Sequence, residues 1–76
     1  MKPKRITDPF DPKFPDWYWV GLGEMQRMFG AGFKSRQIPE SAPDPWHFDE
    51  RPLWRLCWVR KWVRDCGGLE AARRER

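Results

Sequence analysis

Cysteine and histidine are scarce in this chain: two Cys, at positions 57 and 66, and a single His at 47. Three such residues do not make a zinc set at any usual ligand spacing. On one helix Cys57 and Cys66 would lie about 13 Å apart, too far for a mutual disulfide, so both are expected as reduced thiols. Long apolar runs are missing too, and no stretch approaches the ~20 residues that span a bilayer. Met1 to Thr7 holds three bases with no apolar segment after it, which does not fit a signal peptide. There is no glycine-rich phosphate loop ahead of a helix and no nucleophile–base pair. No carboxylate pair has a supporting His; Asp49 and Glu50 are adjacent, so their side chains point apart on a strand. The expectation is a soluble cytoplasmic protein that is not an enzyme and carries no cofactor or metal.

Aromatic rings and basic residues are abundant instead. The chain has 76 residues, enough for one domain that buries only about 60% of its unfolded surface. Six Trp, five Phe and one Tyr answer that shortage, since each large ring buries roughly 150–250 Å² when packed. The net charge of +4 is unevenly spread. Residues 1–16 carry four bases and three acids, 17–50 three bases and five acids, and 51–76 eight bases and three acids. The positive field therefore belongs to the last third, as for a phosphate-binding surface, although a solvated helix face would look the same.

Pro3, Pro9, Pro12 and Pro15 block helix and ladder bonds, so 1–16 reads as an extended arm pinned by Phe10 and Phe14. Leu22, Met25, Met28 and Phe29 then form one helical stripe, with Glu24, Gln26 and Arg27 facing outward and Gly30 and Gly32 ending it. Residues 33–38 allow two more turns before Pro39, and 39–45 is a loop. A hairpin follows: strand 46–48, turn 49–52, strand 53–56, with Trp and Phe suited to half-buried strands. Val59, Trp62, Val63 and Cys66 mark a helix over 57–66, capped by Gly67 and Gly68, with a basic, frayed helical tail at 69–76. Trp54, Val59, Trp62 and Met25 are the expected core. Arm, helix, short helix, hairpin and helix make a small α+β fold, the plan of a winged helix-turn-helix domain over 17–68.

Three sequence elements resemble the excisionase and AlpA-like family of DNA-binding proteins. Glu24, Met25, Met28, Phe29 and Gly30 match the end of that family's first helix. Pro43, Asp44 and Pro45 match the P-x-P ahead of its wing. Trp54, Val59 and Trp62, followed by Val63, match the closing wing strand and last helix. Together they span about residues 20–63. Two features depart from the pattern: the stretch between Gly30 and Pro43 is short, and the wing turn Asp49–Glu50–Arg51 has two acids where bases and glycines are usual.

The resemblance implies duplex DNA as partner. It places the short helix in the major groove, with Lys34, Ser35, Arg36 and Gln37 at base edges, where Arg pairs with guanine and Gln with adenine. Arg51 and Arg55 would reach phosphates or the minor groove from the wing, and Arg60 and Lys61 would bind phosphates from the last helix. Each has a plainer reading: a polar loop for 34–37, pairing with Asp49 or Glu50 for Arg51, solvent for Arg60 and Lys61. The implied role is that of an excisionase-like recombination directionality factor of a phage or mobile element in a bacterial cell. Such a factor works with a site-specific recombinase and with neighbouring copies on adjacent DNA sites. A transcription regulator on the same scaffold is the nearest alternative. The six Trp and the acidic middle suit a third class, a Trp-rich module that grips a host protein.

Overall fold

The computed structural model describes residues 6–30, 33 and 38–74. In chain order the elements are β1 (Trp19–Gly21), α1 (Leu22–Phe29), β2 (Trp46–Phe48), β3 (Arg51–Arg55), α2 (Leu56–Cys66) and α3 (Leu69–Arg73). The strands form one antiparallel sheet in the order β1-β3-β2. Val20 lies opposite Trp54 and Trp19 opposite Arg55; Trp46, His47 and Phe48 lie opposite Leu53, Pro52 and Arg51. No helix among the described residues is long and apolar enough to cross a membrane. The result is a small α+β fold.

Helix α1 has the bounds that the apolar spacing predicts, and it buries Met25, Met28 and Phe29. Gly21 at its N-cap has no side-chain oxygen to offer. The Glu24 carboxylate supplies the other half of the usual arrangement, accepting the Gly21 N–H at 3.4 Å. Glu24 was expected to face outward. Instead it is half-buried and also accepts the Tyr18 hydroxyl at 2.8 Å and the Ile6 N–H at 3.4 Å. Gly30 stops the helix at a φ of 101°, a region that disfavours any other residue, and donates to the Gln26 carbonyl at 2.8 Å.

The hairpin turns in two residues, not over 49–52. Asp49 and Glu50 both have positive φ, 52° and 66°. A two-residue turn of this kind matches the right-handed twist of the flanking strands, so β3 starts at Arg51 rather than at residue 53. Pro52 is tolerated in the central strand because β1 pairs only with residues 53–55, which leaves β3 without a described neighbour on that side at position 52.

Helix α2 follows β3 without a linker or a side-chain cap. Its first orphan donors find carbonyls of an earlier segment: Leu56 N–H bonds Tyr18 O at 2.9 Å, and Cys57 N–H bonds Asp16 O at 3.0 Å. At the other end Gly67 is left-handed, and Gly68 N–H reaches back to Val63 O at 2.9 Å, the Schellman closure. Residues 69–73 are helical, as expected, but packed rather than frayed. They form α3, which buries Ala72, and Arg73 Nε donates to Met28 O at 2.8 Å, capping the C-terminal carbonyls of α1 with a cation.

Residues 6–18 are not extended. Asp11 N–H bonds Asp8 O, Phe14 N–H bonds Asp11 O and Tyr18 N–H bonds Pro15 O, giving successive turns. The Asp8 and Asp11 carboxylates accept from Phe10 N–H and Lys13 N–H, both at 2.9 Å. Proline forbids helix and ladder, but at the second position of a turn its fixed φ is an advantage, and Asp is favoured just before it. The Asp-Pro pairs at 8–9 and 11–12 therefore read as turns. Ile6, Pro9 and Phe14 are buried, whereas Phe10 is exposed.

The core lies on the Trp54 face of the sheet, beneath α1 and α2. Met25, Val59 and Trp54 are fully buried and Trp62 nearly so, as expected. Phe33 packs edge-on to Trp54 and tilted against Trp62, with ring centroids 5.6 and 6.4 Å away. Each buried indole N–H has an acceptor in the preceding loop: Trp54 donates to Pro43 O at 2.8 Å and Trp62 to Ser41 Oγ at 3.0 Å. These bonds hold 41–43 on the core without regular structure and remove the cost of burying two polar tips.

Candidate nucleic-acid interface

The fold sorts the basic side chains into committed and available groups. Arg60 belongs to the first. Its Nε donates to Pro9 O at 2.6 Å, Nη1 to the Asp16 carboxylate, and Nη2 to Asp11 O and Phe14 O at 3.0 and 2.8 Å. Four of the five guanidinium donors are thus spent on the N-terminal turns. The side chain is largely buried, so the expectation that Arg60 binds phosphate is corrected. The turns of 6–18 present three carbonyls to one point, and only a planar fork satisfies them together.

Arg55 is also engaged. Its Nη1 donates to Trp17 O at 2.9 Å, and its guanidinium carbon lies 4.2 Å from the centroid of the Trp19 ring. It braces the strand pair Trp19–Arg55 more than it reaches outward. Arg51, at the start of β3 and opposite Phe48, is exposed. Lys34, Ser35, Arg36 and Gln37 lie outside the described residues. The residues bracketing them are anchored: Phe33 is buried, and Ile38 packs against the core.

Available charge sits on α2 and at the end of α3. Lys61 and Arg64 are exposed on α2, one helical turn apart, and Arg74 is exposed just after α3. Arg64 rests over the Phe10 ring at 5.6 Å. Asp65 stands beside them and lowers the net positive charge locally. Lys61 borders an open groove of about 500 Å³ between α2 and the 41–43 loop, floored by Trp58 and Trp62. Cys57 is exposed and Cys66 half-buried, and neither forms a disulfide.

No family model, curated protein or solved structure matches this chain.

The face of the sheet opposite the core carries a feature that sequence reasoning missed. Alternation along β2 and β3 puts Trp46, Phe48, Arg51, Leu53 and Arg55 on the side away from Trp54. Trp46 is 60% exposed and Phe48 67%, where half-burial was expected. Trp17 is 68% exposed near the other end of this face, and Trp19 packs edge-on to Trp58 with centroids 6.1 Å apart. The signal was present in the spacing of Trp46 and Phe48, two residues apart and so on one face. The pairing register puts both on the face away from the core, and their exposure shows that the described chain leaves them largely uncovered.

Proposed function

We propose that the chain is a winged-helix protein that binds double-stranded DNA, in the manner of an excisionase-like directionality factor. The observation that carries this reading is the connectivity around the sheet. Strand β1 runs directly into α1 and pairs with β3; the hairpin of β2 and β3 runs directly into α2. Residues of both helices pack with Trp54 in one core, while β2 stays exposed along its length, as a wing would be. The residues that carry the resemblance lie on these elements: Met25, Met28 and Phe29 on α1, Trp54 on β3, Val59 and Trp62 on α2.

In this reading Lys61, Arg64 and Arg74 neutralise phosphates, and Lys34, Ser35, Arg36 and Gln37 contribute base preference. Arg51 adds one cation from the wing, beside the repulsive Asp49 and Glu50. One small domain supplies few phosphate contacts, so affinity would come from adjacent copies or a site-specific recombinase. A transcription regulator would use the same surface.

The deciding experiment is a gel-shift titration with random duplex DNA over a salt series. A shift at roughly 50 mM salt with about 100 μM protein, weakening steeply as salt rises, is expected. Absence of any shift under those conditions removes the DNA reading.

A further inference from the structure

The hairpin combines three properties that a DNA wing does not need. Its outer face is aromatic and uncovered, with Trp46 and Phe48 both mostly exposed. Its charge is net negative: Asp44, Asp49 and Glu50 are exposed at the two ends of β2, against Arg51 at the turn and Arg55, which is held over the Trp19 ring at the far end of β3. Among the described residues its backbone is open on one side, because β2 is an edge strand. His47 pairs with Pro52, which has no N–H, so the two cannot exchange a pair of ladder bonds. The His47 N–H and C=O therefore point away from β3, toward the open edge.

We infer that this face of the hairpin, Trp46 and Phe48 flanked by Asp44, Asp49 and Glu50, docks an extended Lys- or Arg-rich segment of a partner protein. Each part of the site has a task for such an occupant. The His47 backbone groups accept a strand laid along the edge, as in other strand additions. Cationic side chains on alternate residues of that strand lie over the Trp46 and Phe48 rings, whose faces attract cations. The carboxylates at the two ends, about 16 Å apart along the strand at 3.3 Å per residue, hold the flanking charges. Single-stranded nucleic acid would also stack on the rings, but the three carboxylates outnumber the cations of the described hairpin, Arg51 and Arg55, and repel its phosphates. A second copy paired through β2 about His47 would set Asp44 against Glu50 at both ends, like charge on like. This inference does not depend on the DNA reading, which takes Arg51 from the hairpin but none of its aromatic or acidic side chains.

The test is fluorescence anisotropy of labelled probes against the full chain. The probes are a short peptide of alternating arginine and threonine, one of alternating glutamate and threonine, and oligothymidylate. The arginine peptide is expected to bind more tightly than the other two. Trp46→Ala or Phe48→Ala should weaken it by about three- to tenfold, and Asp49→Asn with Glu50→Gln should weaken it and flatten its salt dependence. Trp17→Ala, at an exposed ring outside the hairpin, should leave it unchanged. Because all these side chains are exposed, unaltered melting temperatures should show that each variant is folded. Equal binding of the arginine and glutamate peptides would overturn the inference. So would arginine-peptide binding indifferent to Trp46→Ala. Oligothymidylate binding that is lost in Trp46→Ala would overturn it in favour of a nucleic-acid surface.

Discussion

Arg60 on α2 and Asp16 in the N-terminal turns form an ion pair across 44 residues of sequence, and the same guanidinium gathers the carbonyls of Pro9, Asp11 and Phe14. The carboxylate is mostly exposed, so the pair itself contributes little. The carbonyl bonds are the structural part: they tie a proline-rich segment to the helix.

Arg60→Ala is therefore expected to lower stability by about 2–3 kcal/mol, since several charge-assisted bonds are lost together. Arg60→Lys should recover little of it, because an ammonium cannot reach three carbonyls from a planar fork. Asp16→Asn should cost less than about 1 kcal/mol. Urea titrations of the three variants check the order; a lysine variant as stable as the parent would rule out the fork geometry.

Trp62→Ala should cost roughly 3–5 kcal/mol, comparable with the whole stability of a domain this small. Trp62→Phe keeps most of the ring but loses the bond to Ser41, and about 1–2 kcal/mol is expected. In a double-mutant cycle with Ser41→Ala the two should be coupled, since the Ser41 hydroxyl is the acceptor for that indole. Additive effects would mean that the bond contributes nothing.

Glu50→Gly is expected to stabilise the protein by about 1 kcal/mol. A side chain at φ 66° is strained, and glycine relieves that strain, offset in part by the greater entropy it gives the unfolded chain. The rise in melting temperature should be roughly 4–8 °C for a domain of this size. A lower melting temperature would show that the turn does not have positive φ at both central residues.

Lys61→Ala should weaken binding to preferred and random duplexes alike and reduce the salt slope by about one unit, the signature of one lost phosphate contact. Arg36→Ala should cost about 1–3 kcal/mol on a preferred site and less on random DNA if that residue reads a base. Equal losses on both substrates would place Arg36 on a phosphate instead.

Thiol titration of the folded protein should find two reactive groups at different rates, with exposed Cys57 fast and half-buried Cys66 slow. A single fast phase for both would contradict the packing of Cys66 against the core.

Local pattern determined the elements that are local. The stripe Leu22, Met25, Met28 and Phe29 and the glycine after it are enough to bound α1, because helix period and helix termination act within a few residues. Trp54, Val59 and Trp62 are legible as core for the same reason: an apolar ring on a periodic face has one place to go. Strand β1 was not legible. Three residues carry no period, and Trp19–Gly21 is a strand only because β3 offers it a partner about 35 residues later. The turns of 6–18 can be read from Asp-Pro once the proline is taken as a turn former, but their attachment cannot. The partners of Arg60 lie 44–51 residues away, and most are backbone carbonyls, which every residue has and no sequence motif marks. The fate of each arginine was decided in the same way. A guanidinium near converging carbonyls is consumed by them, and one facing water stays available, so Arg60 and Arg55 became braces while Arg51, Lys61 and Arg64 kept their charge outward. Only the pairing register could expose Trp46 and Phe48. A one-residue shift would have turned both rings to the other side of the sheet, because side chains alternate faces with a period of two.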